Sequence, residues 1–363
     1  MTVCVRPEQL TIEATPAAPL TVIHHRSAGI FDAIALSRDA AHPPREFLTT
    51  PAKQRFAPGT RVALRLLWSL LVAVFFSGCQ DAEHNVPPTV EKTFSLPAEG
   101  TKVPAPRGVT VGPGGEIYVL DNIGRVLVMD RDGVTKKSWW MPEYSVGKPE
   151  RLLVCRNGRL AVADTHYHRV VIFDTDGNVL LMFGRRGSGP GEFEYPVAIA
   201  EDDHDNLYVC EYGGNDRVQI FRPDGTYVSA FGSFGAGPGQ FQRPSGIVWR
   251  DGRLYIVDAF NNRVHVCDET GAAVPLPPGA FSADLHYPYD VSLTENGIVY
   301  VVEYGAGRVT WFSRDGELLG RTGSTGPGSS QLATPWGLSV DGEHAVFIAD
   351  TGNRRLVNWT LRK

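Results

Sequence analysis

The sequence predicts an all-β protein, a six-bladed β-propeller of repeated units spanning about residues 90–363. Three observations predict it. One pattern recurs six times: a Pro, a strand, a Gly-containing turn, a strand ending in an acid, a polar turn, then an Arg opening a third strand. The prolines are Pro106, Pro149, Pro196, Pro244, Pro288 and Pro335. The acids are Asp121, Asp164, Glu211, Asp258, Glu303 and Asp350, and the arginines Arg125, Arg169, Arg217, Arg263, Arg308 and Arg354. Successive arginines stand 44 to 48 residues apart, the period of a propeller blade. Second, residues within each copy alternate by two, and Asp-Gly or Asn-Gly pairs mark the tight turns, as at Asp132-Gly133, Asn157-Gly158 and Asp224-Gly225. Third, the last copy stops without an outer strand, whereas the other copies are expected to continue into one, and Val90–Leu96 precedes the first copy without a blade of its own. That segment is expected to supply the missing strand and close the ring, leaving no open edge between blades.

Ahead of the repeats the chain changes character. Residues 1–60 show no sustained apolar period and are expected to be an extension that is untranslated or disordered. Arg61 and Arg65 then precede an apolar run of 11 residues, Leu66–Phe76, and the small residues Ser77 and Gly78. A run this short falls below the roughly 20 residues of a spanning helix and has the order of a signal peptide over residues 61–78. Phe76-Ser77-Gly78-Cys79 resembles the lipobox of bacterial lipoproteins, although Phe76 stands where that family commonly has Leu. The resemblance implies lipid attachment at Cys79, a linker at 79–89, and a domain tethered to a membrane and facing the periplasm or exterior of a bacterial cell envelope.

Composition narrows the function. The chain carries 35 Lys+Arg against 40 Asp+Glu, a net charge of −5. A mildly acidic chain argues against nucleic acid as partner. Its 5 Cys do not make a disulfide scaffold. Cys155, Cys210 and Cys267 fall in strands of different blades and read as buried apolar residues.

Two glycine-rich linkers, Gly184–Phe193 and Gly232–Phe241, together with Asp258–Val264, resemble the NHL-repeat family. The resemblance covers about residues 90–363 and implies six blades. It implies no single function, because that family includes binding platforms and enzymes.

A residue present in every copy is most simply structural. Each acid precedes its Arg across a hairpin turn, so the twelve residues are expected to form six ion pairs. Function is sought where copies differ. Just after each Pro the innermost strand is mostly small, with Gly108, Ala198, Gly246 and Gly337, but blade two has Arg151 and the opposite blade five has Asp290. One position earlier the set is mixed: Arg107, Glu150, Val197, Ser245, Tyr289 and Trp336. Arg107, Glu150, Arg151, Tyr289, Asp290 and Trp336 are therefore expected to line one channel mouth and select a polar ligand, or else to pair with one another and plug the channel. His166, His168, Tyr212 and Tyr304, in unequal turns of the same face, complete the candidate set. The leading expectation is a monomeric, non-catalytic platform for a protein or polar small-molecule ligand, with no cofactor. The alternative is a propeller enzyme of lyase or lactonase type, with a divalent metal served by Glu150, Asp290, His286 or His166. The acidic run Glu201–Asn206 lacks the Gly and the distant Glu of a calcium loop and is read as a turn.

Overall fold

The computed structural model describes residues 88–361 except Ser282 and Glu343, and the backbone of five strands between residues 10 and 66. The chain divides into two units, Met1–Glu83 and His84–Lys363. In the first, β1 (Leu10–Ala14), β2 (Leu20–Ala28), β3 (Phe31–Ser37), β4 (Arg45–Thr49) and β5 (Arg61–Leu66) form a sheet of order β1-β5-β2-β3-β4. The signal-like segment after Leu66, including Cys79, lies outside the described residues.

The second unit is a propeller of six antiparallel sheets. Its first strand, β6 (Thr89–Ser95), belongs to the last blade. Blade one is β7 (Pro106–Val111), β8 (Ile117–Asp121), β9 (Arg125–Met129) and β10 (Thr135–Trp140); blade two is β11 (Arg151–Val154), β12 (Leu160–Asp164), β13 (Arg169–Phe173) and β14 (Val179–Phe183). Blade three is β15 (Tyr195–Glu201), β16 (Leu207–Tyr212), β17 (Arg217–Phe221) and β18 (Tyr227–Phe231). Blade four is β19 (Pro244–Arg250), β20 (Arg253–Asp258) and β21 (Arg263–Cys267). Blade five is β22 (Pro288–Leu293), β23 (Val299–Glu303), β24 (Arg308–Phe312) and β25 (Leu318–Gly323). Blade six is β26 (Gly337–Asp341), β27 (Ala345–Asp350) and β28 (Arg355–Thr360), completed by β6, whose Phe94 lies opposite Leu356. This is the expected ring closure.

The middle strands are buried on both faces because each sheet packs between two others. Six apolar clusters result among the described residues, one at each junction of neighbouring blades. The cluster joining Phe94 and Phe347 to Val109 and Ile117 seals blade six against blade one. The three Cys of the propeller are buried and unbonded.

Blade four corrects one expectation: it has no outer strand. Pairing beyond β21 ends at Ala273 and Val274. Pro275, Pro277 and Pro278 follow, and a proline cannot donate to a ladder. The chain then tucks Phe281, Ala283 and Leu285 into the core between blades four and five.

The repeated acids and arginines meet at one hairpin turn per blade. Nε–O distances are 2.9 Å for Arg125–Asp121 and Arg169–Asp164, 2.6 Å for Arg217–Glu211, 2.8 Å for Arg263–Asp258 and 2.7 Å for Arg308–Glu303. In blade six the partner of Asp350 is Arg355, at 2.6 Å, and not Arg354. The residue before each pairing Arg takes a left-handed conformation: Gly124, His168, Asp216, Asn262, Gly307 and Arg354. Arg354 occupies that turn position, so its exposed side chain points away from the carboxylate. Three of the arginines also fasten the preceding glycine-rich linker. Arg217 donates to the carbonyls of Gly189 and Glu192, Arg263 to those of Gly237 and Gln240, and Arg355 to those of Gly328 and Gln331.

Candidate functional site

Innermost strands approach closely where their residues are small. A Cβ on Gly246 would stand 2.9 Å from the Asp290 Cα, and one on Gly337 2.7 Å from the Arg107 carbonyl. The two charged exceptions meet in this narrow space. Arg151 of blade two pairs with Asp290 of blade five, and Asp290 also accepts the Leu338 N–H at 2.8 Å. Both side chains are almost fully buried. Burial alone pulls the Arg151 guanidinium down toward about 10. Tyr289 and Cys210 oppose that shift. Of the two expectations for these residues, mutual pairing across the channel describes this pair.

Above the plug, Tyr289 organises the mouth. Its hydroxyl donates to Glu150 Oε2 at 2.8 Å and accepts from Arg243 Nη2 at 2.9 Å, joining blades two, four and five. Burial, and then the Glu150 carboxylate, push the phenol well above its usual range, so it stays protonated. Arg243 lies over the ring of Tyr212 at 4.4 Å and beside Tyr289 and Phe260. Trp336 stands 5.1 Å from Tyr289, and Tyr304 lies between Tyr287 and Tyr289 at 5.0 and 5.8 Å. Arg107 covers Trp336, with its guanidinium carbon 4.2 Å from the ring centroid. Among the described residues, its Nε and Nη1 are buried without a hydrogen-bond partner.

The histidines take other parts. His166 Nδ1 meets the Lys148 carbonyl at 3.1 Å, His168 Nδ1 meets the Glu194 carbonyl, and the two rings flank Tyr195 at 5.9 and 5.7 Å. His286 is exposed, and its backbone N–H donates to Glu303. Among the described residues no three His, Cys, Asp or Glu side chains converge as metal ligands. Asp202, within the acidic run, accepts the N–H groups of His204 and Asn206 and closes its own turn.

Four mouth residues were absent from the candidate set: Tyr195, Arg243, Phe260 and Tyr287. Three of them precede the repeated proline. That position runs Ala105, Lys148, Tyr195, Arg243, Tyr287 and Thr334, as varied as the one following the proline, and the variation is the signal that would have found them. Arg243 and Tyr287 also hold left-handed φ values of 59° and 49°. A bulky residue pays for such a conformation, and paid-for strain gathers at functional sites. Asp216 and Asn262 hold these backbones by accepting their N–H groups, each at 2.7 Å.

A family profile described as a 6-bladed β-propeller matches residues 142–213. Comparison with curated protein sequences gives no match. Among solved structures the chain resembles a streptogramin B lyase, with TM-score 0.53 and 16% identity over 76% of this chain and 98% of that one. It also resembles a catalytically inactive His→Ala variant of virginiamycin B lyase from Staphylococcus aureus with quinupristin, at 0.51 and 16% over 75% and 99%. Selenomethionine-substituted virginiamycin B lyase from the same organism gives 0.52 and 14% over 97% and 99%. At such identity the likeness is one of fold.

Proposed function

We propose that this propeller is a non-catalytic receptor that takes a polar, ring-bearing ligand at the mouth formed by Arg107, Glu150, Tyr212, Arg243, Tyr289, Tyr304 and Trp336. One observation carries the proposal: a half-buried aromatic wall supports an Arg107 guanidinium whose Nε and Nη1 are buried and, among the described residues, unpartnered. Leaving donors of a charged group unsatisfied costs about 1–3 kcal/mol or more, and an anionic ligand beside the guanidinium would offset its uncompensated charge. The closed floor gives such a ligand a seat instead of a passage.

The test is a set of neutral, anionic and cationic ring compounds followed by tryptophan fluorescence and NMR. Binders lost in Trp336→Ala and kept in Trp140→Ala, on the outer strand of blade one, support the mouth. Binders indifferent to Trp336 contradict it.

The repeats are assigned to the NHL type on their linkers, and the receptor to the bacterial envelope through a lipid on Cys79, on the lipobox-like Phe76–Cys79. Incorporation of a labelled lipid precursor, lost in Cys79→Ser, checks the anchor. A lyase reading draws on the folds of the two lyases, but His166 and His168 already engage backbone carbonyls.

A further inference from the structure

We propose that the ligand of this mouth is a ring-bearing monoanion, its single carboxylate seated on Arg107 and its ring against the Trp336–Tyr304–Tyr287 wall. The inference rests on the receptor proposal and adds the ligand's charge and shape. Its ground is a comparison of the charged groups at the mouth. Arg151 is matched by Asp290, and Arg243 shares the Tyr289 hydroxyl with Glu150. Among the described residues Arg107 makes no ion pair and no hydrogen bond, and its guanidinium lies on the Trp336 face. A guanidinium pre-set on an aromatic plane, with Nε and Nη1 buried, leaves Nη2 as the charged donor for a carboxylate, and little of its freedom remains to be lost on binding.

Nearby charge points the same way. Lys148, which precedes the repeated proline of blade two, is drawn below the usual lysine range by burial and by Lys102, with Tyr167 and Asp121 opposing and Arg107 adding a smaller lowering. One anionic group is favoured over several because Glu150, buried beside Tyr289, repels a second. The ring follows from Trp336, Tyr304 and Tyr287, which remain half-buried and so keep surface for a flat partner.

Titration calorimetry of the full chain with benzoate, galacturonate and their neutral amides tests this. The two acids separate an aromatic ring from a sugar ring. At least one acid should bind, should lose affinity about 10-fold or more in Arg107→Ala, as expected for a charged hydrogen bond, and should weaken as salt rises. Its amide should bind wild type and Arg107→Ala alike. Arg107→Lys keeps the charge but loses the flat stack on Trp336 that fixes the donor, and should fall between. Acids that bind no better than their amides, or that ignore Arg107→Ala, overturn the monoanion while a Trp336-dependent binder keeps the receptor. If no ring compound binds at the mouth, both proposals fall.

Discussion

Two sets of charged residues in this propeller have opposite fates. The hairpin acids are fully buried and nearly all saturated. Glu211, for example, meets Arg217, Asn215, Gln219 and the Glu194 N–H. At the mouth, among the described residues, the Arg107 Nε and Nη1 and the Arg243 Nε are buried without hydrogen-bond partners, as is Arg169 Nη2 in the frame, but at the mouth aromatic rings stand where counter-ions would. The frame spends its charge on fastening strands and linkers. The mouth keeps charge unspent, which a fold alone would not select. Arg151 and Asp290 lie between the two: they sit at the channel but are paired like the frame.

The largest expected effect breaks that intermediate pair. Asp290→Ala leaves Arg151 buried and uncompensated and should cost about 3–5 kcal/mol in urea unfolding. The double variant Arg151→Met, Asp290→Asn keeps an acceptor for the Leu338 N–H and should recover most of the loss.

A second effect sharpens the comparison within the frame. Asp164 is the exception among the acids, because its Oδ1 has no hydrogen-bond partner. Burial pushes its carboxyl up to about 6, and Arg169 only partly offsets this. The folded state therefore holds this proton more tightly than the unfolded chain, where carboxyls titrate near 4. The resulting stability is complete below about pH 4 and is lost as pH rises through 6. Relative to Asp164→Asn, wild type should lose about 1–3 kcal/mol between pH 4 and pH 7. Equal pH profiles for wild type and Asp164→Asn would contradict the account.

The adjacent arginines of blade six give a third comparison. Arg355→Ala removes the Asp350 pair and three carbonyl contacts, and should cost about 2 kcal/mol or more. Arg354→Ala, at an exposed turn, should stay within about 0.5 kcal/mol. Thermal unfolding of both variants decides it.

Much of this frame was legible in the sequence, because a repeat states the same constraint six times. The prolines, the strand-ending acids and the orphan segment near Thr89–Ser95 each had five parallels or one conspicuous vacancy to fill. What the pattern hid are its single departures. Arg354 and Arg355 are chemically identical, and only the left-handed turn residue separates them. Blade four looked complete until Pro275, Pro277 and Pro278 were seen to stop its ladder. At the mouth, Arg151 and Asp290 stood out because four copies are small there. Arg243 and Tyr287 did not, since they precede the proline and reach the site through strained backbone.

The smallest expected effect on stability is also the most direct test. Arg107→Leu keeps apolar cover for Trp336 and removes a charge with no counter-ion. Urea unfolding should place it within about 0.5 kcal/mol of wild type, or above it, while ring-carboxylate binding disappears. A loss of more than about 1 kcal/mol with ligand binding intact would make Arg107 part of the frame, and the division between frame and mouth would fail.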